Sequence, residues 1–282
     1  MHAPSINVPG ERPSYISAVP PHASAPDDVS TDVLGVQISA LTMPGAVARI
    51  ERWIDERDPH YVAICTSHTV MECQRDPALM RAVNGAGMRT PDGMPLVWLS
   101  RRAGHPEVTR VYGPDLMLEL CARSEETGHR HYFYGGAPGV AVDLVSRLTT
   151  KFTGLRVAGI HTPPMLPVGA LESQETIDRI NASGADIVWV GLGTPKQDWW
   201  VANHRPLLNA PVIIAVGAAF DFHSGRVRQA PKWMQRTGLE WLFRLSQDPR
   251  RLWRRYLITN VQFVTKVGLR SVKRRAVFTH GD

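Results

Sequence analysis

Gly191-Leu192-Gly193-Thr194-Pro195-Lys196-Gln197-Asp198 is the stretch from which the fold of this chain can be inferred. It follows an apolar run at residues 186–190, and a second apolar run at residues 211–220 leads to Asp221. Short apolar runs that end in glycine and polar residues are typical of buried parallel strands. Ligands of parallel sheets bind at the carboxyl ends of the strands. The stretch therefore predicts a ligand site at one edge of a parallel sheet.

Alternating apolar runs and turn signals continue through the rest of the chain. This alternation predicts an α/β fold with a doubly wound, mostly parallel sheet. The predicted strands are residues 33–38, 61–65, 131–134, 156–160, 186–190 and 212–216. One predicted helix begins after Thr42. Three others end near Asn84, Lys151 and Leu208, and three more span residues 94–99, 116–124 and 176–182.

Composition limits the classes of protein to consider. The chain has 282 residues, 43% of them apolar, which is enough for one large domain and an appendage. Its net charge of +6 favours an anionic partner: nucleic acid, a phosphorylated ligand or lipid headgroups. The three cysteines lack Cys-x-x-Cys spacing, which fits a reducing cytoplasm. Neither a signal peptide nor an apolar stretch of the roughly 20 residues that span a bilayer is recognisable, so any membrane contact is predicted to be peripheral.

A glycine-rich turn, Gly135-Gly136-Ala137-Pro138-Gly139, stands between a predicted strand and a predicted helix. Glycines let backbone amides approach a phosphate at a helix N-terminus, so Gly135 and Gly136 are candidate ligand contacts. A tight turn required by sterics explains the same residues equally well. The spacing is not Gly-x-Gly-x-x-Gly, and no acidic residue ends the next strand. A nicotinamide oxidoreductase is therefore disfavoured.

The turn that contains Gly191 and Gly193 is a second candidate for ligand binding. Lys196 can pair with a diphosphate, and Gln197 can both donate to and accept from a base or a sugar. The alternative, a glycine-rich helix start whose Lys and Gln are solvated, stays open.

Two aspartates are candidate acids or bases. Asp92 lies in Pro91-Asp92-Gly93, a spacing typical of a turn that also suits a general base or ligand at a strand end. Asp221 follows an apolar run, and a carboxylate at the mouth of a sheet is unfavourable unless it binds something. His68 and His223 either line a site or are polar loop residues. The chain has no Asp-x-Asp pair, so no metal or cofactor is predicted, and Arg, Lys and backbone amides are expected to neutralise a leaving group.

The C-terminal segment combines arginines with tryptophan and tyrosine. Arg251, Arg254 and Arg255 share a face of the predicted helix. Such a helix suits the headgroup region of an anionic membrane, where each cation contributes about 1 kcal/mol. A helix that docks on the core and leaves its basic face in solvent is the alternative. Nucleic acid binding is not predicted, because no helix-turn-helix, RNA-binding sheet motif or zinc finger accompanies the charge.

Taken together, these motifs resemble the bacterial TagA/WecG/CpsF glycosyltransferases in order and spacing over about residues 33–257. The matches in the first half are Thr66 with His68, Pro91-Asp92-Gly93, Arg110-x-x-Gly113-Pro114-Asp115 and Tyr134-Gly135-Gly136-x-Pro138-Gly139. Those in the second half are Gly191-x-Gly193-x-Pro195-Lys196-Gln197-Asp198, Gly217-x-x-Phe220-Asp221, Gly225, Ala230-Pro231, Gly238-Leu239-Glu240-Trp241-x-x-Arg244-Leu245 and Asp248-Pro249-x-Arg251-x-x-Arg254-Arg255-Tyr256. The joint match is highly specific, although each motif separately is not.

The resemblance implies an inverting, metal-independent transfer of a hexosyl unit from a UDP-sugar to a polyprenyl-diphosphate-linked sugar, in exopolysaccharide or cell-wall glycan synthesis. It implies a cytoplasmic enzyme that is peripherally associated with the inner face of the cell membrane, an anionic surface. It also implies a Rossmann-like fold with a helical C-terminal appendage. Whether the chain forms a homo-oligomer stays open.

The segments of the chain are predicted accordingly. Residues 1–30, rich in Pro, Ser and Ala, are predicted to be a disordered tail. Residues 31–240 are predicted to form the Rossmann-like glycosyltransferase domain. Residues 241–282 are predicted to form a basic amphipathic appendage that completes the site and meets the membrane.

The resemblance also implies residue roles. Asp92 matches the base that deprotonates the acceptor hydroxyl, and Arg110 matches an arginine that stabilises the departing diphosphate. Gln197 and Asp221 match residues of the UDP-sugar pocket, and Thr66 matches a threonine of the site. Three further residues, Arg251, Arg254 and Arg255, match appendage arginines that reach donor or acceptor phosphate.

Three positions depart from the family pattern. The family commonly has Thr-x-Asn where this chain has Thr66-Ser67-His68, and Asp198 and Gln229 stand where Glu and Arg are usual. Because the first of these loops lies near the sugar, N-acetylmannosamine, glucose and a uronic acid all stay open as the transferred unit. The alternative of a different class is a non-catalytic, basic Rossmann-like protein that binds nucleotide sugars or nucleic acid.

Overall fold

The computed structural model describes residues 29–278, and the side chains of residues 251, 255 and 271–278 lie outside that description. The strands are β1 (Ser30–Val33), β2 (Val36–Ser39), β3 (His60–Cys65), β4 (Met88–Pro91), β5 (Arg130–Gly135), β6 (Arg156–His161), β7 (Ile187–Gly191) and β8 (Val212–Ala215). The first helices are α1 (Met43–Asp55), α2 (Ser67–Arg75), α3 (Pro77–Asn84), α4 (Met94–Arg102), α5 (Gly113–Thr127), α6 (Val140–Lys151) and α7 (Gln174–Ala182). The later ones are α8 (Lys196–His204), α9 (Ala219–His223), α10 (Lys232–Arg236), α11 (Glu240–Gln247), α12 (Pro249–Trp253) and α13 (Thr259–Phe278), with a π-helical turn at Arg254–Ile258 before α13.

The central sheet has six parallel strands in the order β4-β3-β8-β7-β5-β6. Successive residues of its strands face opposite layers of helices. Val188 and Val190 of β7 belong to the layer that contains α7 and α8, whereas Ile187 and Trp189 belong to the layer that contains α1, α5 and α6. Because both faces are covered, the strands are apolar throughout rather than alternating. The predicted doubly wound, mostly parallel α/β fold of Rossmann-like type is confirmed.

The first predicted strand, residues 33–38, is wrong. The structure has two antiparallel strands there, β1 and β2, with Val33 opposite Val36. Leu34 and Gly35 form the turn between them, with φ values of 53° and 89°. Two positive φ values are typical of a two-residue type I′ hairpin, whose twist matches that of its strands. An apolar pattern that continues through so short a turn does not reveal the reversal.

Strand β4 is absent from the sequence prediction, which indicates only a turn at residues 90–93. Its second residue, Arg89, is 6% exposed and interrupts the apolar pattern. The Arg89 guanidinium donates to the carbonyl oxygen of Gln37 (2.7 Å) and to that of Ala86. A charged side chain is tolerated in a buried strand when its donors are satisfied in this way. Asp92 follows this strand directly, so β4 fixes where its backbone lies.

The single helix predicted to end near Asn84 is two helices, α2 and α3. Between them Asp76 has an extended backbone, and its carboxylate accepts hydrogen bonds from the amides of Ala78 (2.9 Å) and Leu79 (3.3 Å). Pro77 occupies the first position of α3, where its missing N–H has no helical partner to lose. The chain therefore starts a new helix at this point, while the predicted end at Asn84 is confirmed.

The C-terminal helix α13 packs back onto the domain. Phe263 is 3% exposed and belongs to the helical layer that contains α2. Arg75 donates to the side chain of Gln262 (2.9 Å), and Arg270 forms a two-pronged ion pair with Asp32 of β1 (3.0 and 2.9 Å). Other apolar side chains of the segment are exposed: Trp253, Leu257, Val261, Val264 and Leu269. Within the described residues, no helix combines the length and apolar character needed to cross a membrane.

Two of the predicted segments reach beyond these residues. Of the predicted tail, residues 1–30, residues 1–28 lie outside the described chain. Ser30 belongs to β1. The predicted appendage includes residues 279–282, which also lie outside it. The division of the chain at residue 240 stays a prediction.

The close approach of β5 and β7 leads to a test of the fold. Gly135 has a φ of 118°, and a Cβ added there would lie 2.7 Å from the carbonyl oxygen of Gly191. Gly104 is a matched control: its φ is 107°, but an added Cβ would meet no atom of the described chain within 4 Å. We expect Gly135→Ala to lower the free energy of unfolding by about 2 kcal/mol more than Gly104→Ala, because only the first adds a backbone clash to the strain. Urea unfolding measures the difference, and equal losses would contradict the packing of the two strands.

Candidate active site

A cavity of about 1310 Å³ opens at the carboxyl edge of the central sheet. Its lining includes residues that end or directly follow four strands: Asp92 after β4, Gly136 after β5, Gly191 at the end of β7 and Val216 after β8. Small-molecule pockets usually measure roughly 300–1,000 Å³. The cavity is therefore large enough for a ligand of nucleotide-sugar size together with part of a second molecule.

Buried Asp92 and partly buried Arg110 form an ion pair in this cavity. The Arg110 Nη2 donates to Asp92 Oδ1 (3.1 Å) and to Glu240 Oε2 (2.7 Å), and its Nε donates to the carbonyl oxygen of Asp92. The Tyr112 hydroxyl donates to Glu240 Oε1 (2.8 Å), and the Arg110 guanidinium lies over the Tyr112 ring, with Cζ 3.9 Å from its centroid. One cation is thus shared by two carboxylates that come from different parts of the chain.

The electrostatics of this group are unusual for an aspartate. Burial raises the pKa of Asp92 to about 6; the Arg110 guanidinium and the Gly113 amide oppose the rise, and the Glu240 carboxylate adds to it. Burial alone would lower the pKa of Arg110, but the two carboxylates raise it above its ordinary value. Asp92 is therefore ionised at neutral pH, yet binds a proton more readily than an ordinary aspartate, as suits a general base.

The two glycine-rich turns meet beside the cavity. The Gly136 amide donates to the carbonyl oxygen of Gly191 (2.9 Å), and a Cβ added to Gly191 would lie 2.5 Å from the Phe220 ring. Gly136, Gly191 and Gly193 line the cavity, whereas Gly135 pairs with Gly191 inside the sheet and is not part of the lining. Steric requirements thus explain Gly135 and Gly191. Contacts between these turns and a phosphate stay predictions.

Lys196, Gln197 and Asp221 line the same cavity as Asp92 and Arg110. Gln197 is 3% exposed, and its Oε1 accepts a hydrogen bond from the Gly193 amide (3.0 Å). That bond orients the side chain, so that the amide nitrogen is the end that a ligand can contact. Asp221 lies in the short helix α9 rather than at the strand end itself. The structure therefore brings Asp92 and Arg110 from the first half of the chain together with Lys196, Gln197 and Asp221 from the second half.

Thr66 and His68 also line the cavity, at the start of α2. The Thr66 hydroxyl accepts from the Thr69 amide (3.3 Å), and the Thr66 amide donates to the Thr69 hydroxyl (3.2 Å). This reciprocal cap satisfies two backbone amides at the helix start. The His68 Nδ1 lies 3.8 Å from Glu72 Oε1. The cap gives Thr66 a structural role, and contacts of Thr66 and His68 with a substrate stay predictions.

The predicted appendage arginines are placed differently. The side chains of Arg251 and Arg255 lie outside the described side chains, so their roles stay predictions. Arg254 is exposed, with its Cζ 5.3 Å from the Trp253 ring centroid, and it is not part of the described cavity lining. Arg244 does line the cavity, with its Cζ 5.4 Å from the Phe222 ring centroid.

Sequence reasoning missed Glu240 and Tyr112 as site residues. Glu240 stands inside a recognised motif with Gly238 and Trp241, which was the available signal. A carboxylate at a helix start is common for electrostatic reasons, so the motif alone does not indicate a partner for it. Tyr112 precedes Gly113 and has no distinguishing pattern. Only the folded arrangement shows that both contact Arg110.

A second polar network lines the cavity beside the proline-rich loop that follows β6. The Tyr134 hydroxyl donates to the Glu172 carboxylate, and the Glu172 amide donates to His204 Nε2 (2.9 Å). His204 Nδ1 lies 2.8 Å from the carbonyl oxygen of Trp200, to which it donates. An imidazole that accepts at one nitrogen and donates at the other is neutral, and burial lowers the pKa of His204 accordingly. The network fixes the wall that carries this loop, which no sequence motif indicated.

The chain is similar in sequence to a family of glycosyl transferases and to two named bacterial enzymes. A family model described as the glycosyl transferase WecG/TagA/CpsF family matches residues 31–277. A relative from Bacillus spizizenii, named N-acetylglucosaminyldiphosphoundecaprenol N-acetyl-beta-D-mannosaminyltransferase, is 31% identical over 216 residues, which cover 76% of this chain and 81% of the relative. A relative of the same name from Bacillus subtilis strain 168 is 27% identical over 208 residues, which cover 73% and 78%. The resemblance inferred from the motifs is confirmed.

The raised pKa of Asp92 leads to a test that does not need a substrate. Since folding raises this pKa from about 4 to about 6, its stabilising effect is complete below pH 4 and is lost as the pH rises through 6. Asp92→Asn removes the titration. We expect the difference in free energy of unfolding, variant minus wild type, to be about 2 kcal/mol larger at pH 8 than at pH 4, because only the wild type carries the unfavourable ionised carboxyl at pH 8. Urea unfolding at both pH values measures this, and the same difference at both would contradict the raised pKa.

Proposed function

The chain belongs to the WecG/TagA/CpsF family of glycosyl transferases, and we propose that it moves a hexosyl unit from a UDP-sugar to a polyprenyl-diphosphate-linked sugar. It is an enzyme, a glycosyltransferase. The proposed acceptor class follows the names of the two Bacillus relatives, which specify an N-acetylglucosaminyl-diphospho-undecaprenol. Curated enzymes among the relatives favour catalysis over the non-catalytic alternative.

The observation that carries this proposal is the convergence on one cavity. The ion pair of Asp92 and Arg110 lines it together with Lys196, Gln197 and Asp221. A transfer between two substrates needs a base for the incoming hydroxyl and cations for the outgoing phosphate, both within reach of one sugar. A cavity that holds all of these groups supports a direct transfer from donor to acceptor.

We infer a single displacement with inversion. Asp92 takes the proton of the acceptor hydroxyl, and that oxygen attacks the anomeric carbon of the donor sugar. The bond from the anomeric carbon to the UDP oxygen breaks as the new glycosidic bond forms, so UDP departs with the electron pair. The proton remains on Asp92 and passes to solvent after the products leave.

Cationic groups of the chain would stabilise the departing UDP. Arg110 and Arg244 line the cavity, and Lys196 stands at the first position of α8, where the helix dipole also favours negative charge. Among the described residues, no group of three or more His, Cys, Asp or Glu side chains is placed to hold a metal ion. Metal independence stays a proposal, and undiminished UDP release in EDTA is the result that would support it.

The reaction itself provides the main test. Wild-type protein, offered a panel of UDP-sugars and a short-chain lipid-diphosphate N-acetylglucosamine, should release UDP with at least one donor. Asp92→Asn should lower kcat by about 10³-fold or more while donor affinity is retained, because the acceptor hydroxyl loses its base. Asp221→Asn, the same change at the proposed donor pocket, should mainly raise the donor KM.

Two results would count against the proposal. Transfer by Asp92→Asn at the wild-type rate would remove the base from its role. Binding of a UDP-sugar without UDP release for any donor would favour the binding protein over the transferase. The panel also identifies the transferred sugar, which the loop at residues 66–68 leaves open.

We propose that the C-terminal helices contact an anionic membrane surface. The segment has exposed apolar side chains, such as Val261 and Val264, and exposed cations, such as Arg250 and Lys266. Apolar groups can enter the headgroup region while cations pair with acidic lipids. The arrangement supports peripheral association at the inner face of the cell membrane.

Flotation with vesicles that contain an acidic phospholipid tests this contact. Arg250→Glu combined with Lys266→Glu should reduce the bound fraction several-fold, since each cation contributes about 1 kcal/mol. Arg130→Glu combined with Arg156→Glu is the matched control, because these exposed arginines begin β5 and β6 at the opposite edge of the sheet. Equal flotation of both double variants would exclude the C-terminal helices as the contact surface.

A further inference from the structure

Glu240 is the point at which the C-terminal helices touch the proposed catalytic groups. It is the first residue of α11, it lines the cavity, and its side chain is 14% exposed. Its two carboxylate oxygens have different partners: Oε2 accepts from Arg110 Nη2 (2.7 Å) and Oε1 accepts from the Tyr112 hydroxyl (2.8 Å). A second, partly buried carboxylate beside the proposed base is electrostatically unfavourable unless a cation compensates both charges.

We propose that Glu240 is a positioning residue for the transfer reaction, holding Arg110 so that its guanidinium is shared between Glu240 and Asp92. The inference rests on the proposed function of Asp92 as the base. Arg110 Nη2 lies closer to Glu240 (2.7 Å) than to Asp92 (3.1 Å). The cation is thereby kept from pairing with Asp92 alone.

The position of Glu240 is itself fixed by packing. Gly238, two residues earlier, has a φ of 74°, and a Cβ added there would lie 3.0 Å from the Trp98 ring. The Leu239 amide donates to the carbonyl oxygen of Met234 (2.8 Å). The chain therefore enters α11 against α4, the helix that begins two residues after Asp92. The same packing of α11 against α4 places Glu240 beside Arg110.

Sharing the cation changes what Asp92 can do. The groups that face Asp92 are Arg110 and Tyr112 from the segment before α5, Glu240 from α11, and the Cys65 thiol at the end of β3. Among these, Arg110 opposes protonation of Asp92 and Glu240 favours it. If Glu240 were neutral, Arg110 would act on Asp92 without competition. Asp92 would then be a weaker base in an unchanged geometry.

Glu240→Gln tests the inference, because glutamine keeps the shape and the hydrogen-bond acceptor but loses the charge. In the full-length protein we expect the acidic limb of the kcat–pH profile to shift to lower pH by about one pH unit. The plateau value of kcat should fall about tenfold, while the KM for the UDP-sugar changes little. Glu240→Asp keeps the charge on a shorter side chain, so its acidic limb and plateau should lie between those of the wild type and those of Glu240→Gln. It replaces Glu240→Gln if that variant does not fold.

Two further variants separate charge from contact. Tyr112→Phe removes a hydrogen bond to Glu240 without removing its charge, so the acidic limb should stay in place. Ser246→Ala changes an exposed residue of α11, whose hydroxyl donates to the Phe243 carbonyl oxygen, and should leave both limb and plateau unchanged. An acidic limb that moves in Tyr112→Phe as far as in Glu240→Gln would overturn the electrostatic account.

A measurement without turnover distinguishes this inference from the proposed function. Titration of ¹³C-labelled aspartate carboxyl groups by NMR gives the midpoint of Asp92, assigned by its loss in Asp92→Asn. A lower midpoint in Glu240→Gln than in the wild type supports the inference, and an unchanged midpoint overturns it. A lower midpoint with an unmoved kcat limb overturns the role of Asp92 as the base, although the contact between Glu240 and the ion pair is then retained.

Discussion

One partly buried cation, Arg110, joins two carboxylates of the site. It bonds to the Asp92 carboxylate at the end of β4 and to the Glu240 carboxylate at the start of α11. Loss of either carboxylate would leave the partly buried guanidinium with one ionic partner instead of two. Helix α11 has no fully buried residue of its own, and Glu240 joins its first turn to Arg110 and Tyr112. Helix α13 is held separately, through buried Phe263 and the ion pair of Arg270 with Asp32.

The sheet supplies the frame on which this cation acts. Parallel strands end at one edge, and the residues after β4, β5, β7 and β8 all reach the same cavity. Glycines at Gly135, Gly136 and Gly191 allow the ends of β5 and β7 to meet beneath the Phe220 ring. Larger residues there would separate the strand ends. The glycines are thus required for the shape of the site whether or not they also contact a phosphate.

Chemistry and stability oppose each other at Asp92. An aspartate in water would be ionised at neutral pH at no cost, but it would bind a proton too weakly to be an effective base. Burial raises its pKa to about 6, which is close to neutral pH. The same burial makes the ionised form unfavourable in the folded chain. The Arg110 guanidinium lowers the pKa of Asp92 and so limits that penalty, and the Glu240 carboxylate raises it.

Patterns of apolar residues, glycines and turn signals determined the parallel α/β class, most strands and helices, and the candidates Asp92, Gln197 and Asp221. The resemblance to the family added Arg110. These features are encoded locally, since burial and backbone conformation depend on neighbours along the chain. Where local signals conflict, the predictions were wrong: the β1–β2 hairpin reverses within an apolar run, and buried Arg89 conceals β4. Tertiary structure alone decided that Glu240 and Tyr112 join Arg110. It also decided that Tyr134 and Glu172, which line the cavity, form a network with buried His204. Such contacts join residues far apart in the chain, and no local pattern specifies which distant charge or hydroxyl will meet another.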